Sequence, residues 1–110
     1  PLVVWDWDDR AAALAGVNLL VNTTTLGMTG KAALDISLDA LPTGALVNDI
    51  VYAPLQTELL AAASARGNPV VDGLGMLLHQ ARPGFEAWFG VAPEVTPDLR
   101  ARILENLAGC

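Results

Sequence analysis

Cysteine and positive charge are what this 110-residue chain has least of. Its single cysteine, Cys110, has no partner within the sequence, so an internal disulfide is excluded. With one cysteine and one histidine, His79, a structural zinc site built from Cys and His ligands is excluded as well. Lysine and arginine number 6 against 12 aspartates and glutamates, a formal net charge of −6. A duplex-binding surface needs clustered cations to displace counterions from phosphates, so no nucleic-acid partner is expected. Long apolar runs are lacking too. None is longer than residues 11–15 or 59–63, far short of the roughly 20 residues of a spanning helix. Neither a membrane span nor the apolar centre of a signal peptide is expected within these residues. A reducing cytoplasm is the expected setting.

What the chain does have is material for a core. Hydrophobic residues make up 53% and the mean hydropathy is +0.42, too apolar for intrinsic disorder. The length suits one domain at most. Pro1 opens directly into an apolar run, without a polar, mobile entry, so the expectation is a portion of a larger polypeptide.

Four short apolar runs, 2–5, 19–22, 45–51 and 69–72, read as strands. The run at 19–22 is continuous rather than alternating, as in strands buried on both faces. Helices are predicted over 8–14, stopped by Gly16, and over 55–66, with Pro54 in the first turn and Gly67 as the stop. A third helix covers 73–89, perturbed near Pro83 and ending before Gly90. The last covers 97–108. Thr96 can cap it, Pro97 fits its first position and Asp98 opposes its positive end. Leu99, Ile103 and Leu107 form one apolar stripe on it, and Gly109 ends it.

Strands separated by helices predict a parallel sheet with right-handed crossovers. The fold class is therefore α/β, a partial doubly wound (Rossmann-like) parallel sheet with C-terminal helices. It is partial because a complete dinucleotide-binding sheet has about six strands. The strand–G-x-G-x-x-G–helix fingerprint is missing as well, since Gly73-Leu74-Gly75 carries only its first half.

Ligands of such sheets sit beyond the carboxyl ends of the strands, and three of these ends carry polar residues. Asn22-Thr23-Thr24-Thr25 could hold a cofactor's sugar or amide, or could simply end a strand by bonding its own backbone. At the second end Tyr52 could donate to a substrate carboxylate, or be a core aromatic with its hydroxyl at the surface. Asp49, inside an apolar strand, needs N–H or hydroxyl partners if it is buried, or else stays protonated. At the third end Asp72 can cap a helix opened by Gly73, where unpaired N–H groups and partial positive charge collect. Gly73, Met76 and Gln80 are spaced i, i+3, i+7 and share a face. That face offers a backbone donor, a soft apolar surface for a flat ring and an amide for a hydroxyl-rich ligand. The alternative is a glycine-rich helix start with Met76 in the core and Gln80 in solvent.

Other residues favour plainer roles. His79 has no nucleophile or acid at a motif spacing and reads as a helix-surface or half-buried histidine. Lys31, the single lysine, sits in a glycine-flanked loop and is not expected to act as a base. Trp5, Trp7 and Trp88 read as packing residues, and no G-x-S-x-G nucleophile elbow exists.

Three segments in register resemble one family, the shikimate dehydrogenases. Asn22-Thr23-Thr24-Thr25-Leu26-Gly27-Met28 is similar to its N-[AT]-[ST]-x-x-G-M segment. Asp49-Ile50-Val51-Tyr52 followed by Pro54-Leu55-Gln56-Thr57 is similar to its D-x-x-Y-x-P-x-x-T segment. The stretch at 72–81 is similar to D-G-x-x-M-L-x-x-Q-A. The resemblance covers nearly the whole chain. It implies reduction of 3-dehydroshikimate to shikimate with NADPH as cofactor, in aromatic amino-acid biosynthesis. By motif match it implies that Gly73 meets the nicotinamide carboxamide through its backbone, that Ile50 lines the ring, and that Met76 and Thr24 lie nearby. Tyr52 and Gln80 match residues that touch the small-molecule substrate.

The family's catalytic Lys–Asp pair belongs to its N-terminal substrate domain, and nothing here matches it. The phosphate loop and the basic N-R-T segment that favours NADP are likewise absent. The expectation is that residues 1–110 are the C-terminal part of a dinucleotide-binding domain, with no catalytic and no metal-binding residue, inactive by themselves. The rivals are a quinate-using or NAD-using relative, a non-catalytic nucleotide- or metabolite-binding module, and an interaction fragment completed by a partner chain. The incomplete sheet predicts such a partner or self-association through its exposed edge.

Overall fold

The computed structural model describes residues 1–108. Gly109 and Cys110, read above as a helix stop and a lone thiol, lie outside them. The centre is a parallel sheet of three strands, β1 (Leu19–Asn22), β2 (Leu46–Asp49) and β3 (Val70–Val71), in that spatial order. Leu19 pairs with Leu46 and Asn22 with Asp49, so β1 and β2 finish level, while Val47 pairs with Val70.

Helix α1 (Glu58–Ala65) crosses between β2 and β3. It buries Leu59, Leu60 and Ala63, one helical face, against Val47 of the sheet. Leu14, Leu38, Leu41 and Ala45 complete this core. Away from the strands' carboxyl ends, Asn68 Nδ2 donates to the Pro42 and Ala45 carbonyls at 2.9 Å each, and Arg66 Nη2 donates to the Leu41 carbonyl at 2.7 Å. This clamp ties the turn before β3 to the turn before β2.

Helices α2 (Leu74–Phe89) and α3 (Pro97–Ala108) follow. Gly90, with φ of +74°, ends α2 in the left-handed conformation that glycine adopts freely, its N–H donating to the Glu86 carbonyl. Pro83 is accommodated inside α2, which continues unbroken to Phe89. Thr96 caps α3 as expected, its Oγ1 accepting from Leu99 N at 3.1 Å. Arg82 Nε donates to the Pro93 carbonyl at 2.8 Å across the intervening loop.

Five expectations fail. Trp5, Trp7 and Trp88, read as packing residues, are exposed by 54%, 51% and 79%. β1, read as buried on both faces, leaves Leu19 and Val21 exposed because nothing covers that side among the described residues. The run at 2–5 is not a strand. Its side chains are exposed, Leu2 by 92% and Val4 by 87%, because apolarity forms a strand only where a neighbouring strand can pair with it, and none does among the described residues. The sheet therefore has three strands rather than four. The single helix over 8–14 is instead two 3-10 turns, Trp7–Asp9 and Ala12–Leu14. Asp6 caps the first, and Arg10 folds back to donate to the Trp7 and Asp35 carbonyls, so side-chain bonds replace the helical ladder. Finally, α1 starts at Glu58 rather than at residue 55. Thr57 takes the cap, Oγ1 accepting from Leu60 N at 3.3 Å, and Pro54 lies in the preceding turn after a cis Ala53–Pro54 bond.

Candidate functional site

The carboxyl ends of the three strands meet on one side of the sheet, and a cleft of about 270 Å³ opens there. It brings together Thr24, Ile50, Tyr52 and Met76, four of the six residues singled out from the sequence. Thr23, Thr25, Met28, Val51 and Ala53 complete the lining. Met28 is the least obvious of these from sequence, since it lies in the irregular stretch. It arrives because Thr29 N donates to the Ala53 carbonyl at 2.8 Å and Gly27 N to the Ala32 carbonyl at 2.7 Å, folding the loop onto the end of β2.

The lining is mainly apolar. Tyr52 and Met76 are exposed by 36% and 39%, so both are open to a ligand. Thr24 has a committed hydroxyl. Its Oγ1 donates to Asn22 Oδ1 at 2.7 Å and accepts from Leu26 N at 3.1 Å, while Thr24 N donates to Asn22 Oδ1 at 3.0 Å. Asn22 and Thr24 thus make the local side-chain bonds of a strand end, and Thr24 lines the cleft at the same time. Thr23 and Thr25 are exposed beside it.

Beneath the cleft lies the polar centre that Asp49 requires. Asp49 is fully buried and accepts from Asn22 Nδ2 at 3.2 Å, Val51 N at 3.0 Å and Thr57 Oγ1 at 2.7 Å. Three neutral donors thus satisfy the carboxylate. The need for donors was legible in the sequence. Their identity was not.

Gly73 and Gln80 are not part of the lining. Gly73 is buried at the tip of α2. A Cβ there would fall 2.6 Å from the Val51 carbonyl oxygen and against that of Ile50, so only glycine lets the helix sit on the end of β2. What approaches this backbone closely is the chain's own main chain. Gly75, by contrast, borders open space. Gln80 is exposed on α2, one turn beyond Met76. Asp72, expected as the N-cap of α2, stands one residue earlier: Gly73 is the N-cap and makes no side-chain cap bond, while Asp72 Oδ1 accepts from Leu74 N at 3.1 Å across the turn into the helix. Its other oxygen takes Arg100 Nη2 of α3 at 2.7 Å, a pairing the sequence did not announce. His79 and Lys31 are both exposed, in keeping with their plain reading. No cluster of three or more potential metal ligands occurs among the described residues, and no described helix is long and apolar enough to cross a membrane.

Comparison with known proteins points the same way as the three sequence segments. Residues 73–101 match the model of the shikimate 5'-dehydrogenase C-terminal domain. The shikimate dehydrogenase (NADP(+)) of Paramagnetospirillum magneticum is 67% identical over 104 residues, and that of Methylobacterium radiotolerans 66% over 103 residues. Each alignment takes in 94% of this chain but only 38% and 36% of the relative, so the chain spans little more than a third of their length. Among solved structures, quinate dehydrogenase from Corynebacterium glutamicum in complex with NAD superposes with a TM-score of 0.75 at 30% identity, over 94% of this chain and 35% of that one. Shikimate 5-dehydrogenase from Thermus thermophilus in complex with NADP(H) and shikimate gives 0.68 at 32% identity, over 82% and 34%. The parallel sheet, the helices that follow it and these relatives agree: the chain belongs to the shikimate dehydrogenase family and corresponds to its C-terminal portion.

Proposed function

We propose that this chain forms the nicotinamide end of an NADP-dependent shikimate dehydrogenase, which reduces 3-dehydroshikimate to shikimate. The observation that carries this reading is the cleft itself, with Ile50 and Met76 in an apolar lining and Tyr52 open beside them, at the carboxyl ends of parallel strands. At about 270 Å³ it falls below the roughly 300–1,000 Å³ of a site that encloses a whole drug-sized ligand. It suits one flat end of a dinucleotide better than the entire molecule.

Bound there, a nicotinamide ring would supply the hydride. The chain's own residues hold and orient. Ile50 and Met76 offer apolar contact to a ring face and keep water from it. Gly73, pressed on the Ile50 and Val51 carbonyls, fixes where α2 begins and thus where Met76 stands. Tyr52 donates from its hydroxyl to a substrate carboxylate, and Gln80, one turn beyond Met76, meets a hydroxyl of the same substrate. No residue here is assigned proton transfer. In this reading residues 1–110 are the C-terminal part of the dinucleotide-binding domain, acting in a reducing cytoplasm.

The incomplete sheet extends the reading. β1 has no neighbour on its outer side among the described residues. Leu19, Val21 and Val71 stay exposed by 54%, 39% and 44%. Asn48 Oδ1, level with Val21 and Val71 in the register, is buried without a hydrogen-bond partner. An apolar face with an orphan acceptor calls for further polypeptide to cover it. A quinate-using, NAD-dependent enzyme is the alternative that the structural likeness to quinate dehydrogenase favours.

The test is Met76→Trp in the natural full-length enzyme, which fills the cleft from α2. Reduction of 3-dehydroshikimate by NADPH should fall by about 100-fold, the scale on which misplaced reactants lose rate. Turnover equal to that of the unmodified enzyme would refute the reading. Faster turnover of quinate with NAD would select the alternative.

A further inference from the structure

Asp49 is a buried carboxylate that no step of the proposed chemistry uses. Its three donors come from three segments that border the cleft or support it. Asn22 ends β1, Val51 N belongs to the cleft wall, and Thr57 caps α1. The network then extends upward. Asn22 Oδ1 accepts from both Thr24 N and Thr24 Oγ1, and Asn22 Nδ2 also donates to the Leu26 carbonyl at 3.1 Å. Every polar atom in this set is used, so a shift in one member orphans another. Apolar side chains would hold α1 on the sheet equally well, and packing alone does not call for a carboxylate here.

We propose that Asp49 is a positioning residue. Through Asn22 it fixes the turn at 23–25, and through Val51 N it fixes the main chain at 50–51, which together set the width of the cleft. Because Gly73 rests on the Ile50 and Val51 carbonyls, the same carboxylate sets the height of the α2 tip and of Met76. The role rests on the reading of this cleft as the nicotinamide end. It predicts that disturbing the network changes cofactor affinity more than the rate once cofactor is bound.

The variants are Thr57→Val, which keeps the shape but removes both the donor to Asp49 and the cap that accepts from Leu60 N, and Thr57→Ser, which keeps the hydroxyl for both. Asp49→Asn is the third. Its Nδ2 would have to donate to Thr57 Oγ1, which then has no acceptor for its own proton. All are made in the natural full-length enzyme and compared at a temperature where circular dichroism shows each fully folded. Thr57→Val should raise KM for NADPH about tenfold, with kcat falling about twofold, since a sub-ångström misplacement is worth that order. Asp49→Asn should move KM the same way, and Thr57→Ser should restore it. If Thr57→Val does not fold, Asp49→Asn against the unmodified enzyme carries the comparison. A role confined to stability would lower the melting temperature and leave KM of the folded enzyme unchanged, and that result overturns the proposal. Met76→Trp separates the two ideas. An inactive Met76→Trp beside an unchanged Thr57→Val removes the positioning role alone. A fully active Met76→Trp removes the cleft reading and this proposal with it.

Discussion

The sheet with α1 and the pair α2–α3 are built on different terms. The first region has a core of its own, with Leu41, Val47, Leu60 and Ala63 at most 3% exposed. The second has little: α2 buries only Leu74, and α3 buries no described residue fully. Phe85, Trp88 and Phe89 on α2 are exposed by 42%, 79% and 66%. The radius of gyration, 16.0 Å, exceeds the roughly 13 Å expected of a compact chain of this length. One region is therefore held by buried apolar area. The other is held at its base, by the fit of Gly73 on β2 and by the Asp72–Arg100 pair. The cleft lies where the two join, with Ile50 on one side and Met76 on the other, so its shape depends on both kinds of support.

The largest expected effect sharpens this contrast. Leu60→Ala, in the α1 core, should cost about 3 kcal/mol of unfolding free energy, the usual range for a buried leucine. Leu104→Ala on α3, where the side chain is half-buried, should cost less than about 1 kcal/mol. Chemical denaturation midpoints measure both. Equal losses would mean that α3 belongs to the same cooperative core.

Gly73→Ala attacks the joint. The backbone at Gly73 has φ of −81°, which alanine adopts without strain, so the effect comes entirely from the added methyl meeting two carbonyl groups. Those groups sit at the end of the central strand and are rigid. The cost should be about 2 kcal/mol, typical of overpacking. The informative readout is local: a tryptophan-free fluorescence probe attached at α2 should report a displaced helix while the far-ultraviolet circular dichroism of the sheet region is kept. An unchanged probe would mean that the tip of α2 tolerates the methyl group, and that glycine is there for another reason.

The parts of the molecule legible in the sequence are those set by neighbours along the chain. The Thr96 cap, the Gly90 stop and the i, i+3 placement of Met76 above Gly73 follow from spacing alone. Asn22 and Thr24 form the self-bonded strand end that such residues commonly make. What was not legible depends on partners distant in sequence. Asp49 announced its need for donors, but Asn22 lies 27 residues away and reaches it only because β1 and β2 finish level. The run at 2–5 has strand composition, yet composition cannot supply a neighbouring strand. Met28 enters the cleft through the backbone bond from Thr29 to Ala53, for which no side-chain pattern exists. Half of the binary pattern of a sheet is a statement about what covers it, and that statement can be read only in three dimensions.

The smallest expected effect concerns Arg100, and it asks whether the second region is held in place by charge. Arg100 and Asp72 side chains are 35% and 27% exposed, so solvent screens their attraction. An exposed or half-exposed pair contributes roughly 0–1 kcal/mol. Arg100→Ala should therefore leave the denaturation midpoint almost unmoved. Local opening is a different quantity. The first turn of α3 has Thr96 to cap it and Arg100 to anchor it to the body, and removing the anchor should raise amide hydrogen exchange across 97–108 several-fold while β2 exchanges as before. Asp72→Asn refines this, because the amide oxygen can still accept from Leu74 N at the entry to α2 while the charge pair is lost. If the anchor is electrostatic, both substitutions should speed exchange in α3 alike, and 1 M salt, where the screening length is about 3 Å, should do so in the unmodified protein. If only Arg100→Ala acts, the arginine's aliphatic stem holds the helix by packing, and the two regions differ in the amount of apolar contact rather than in its kind.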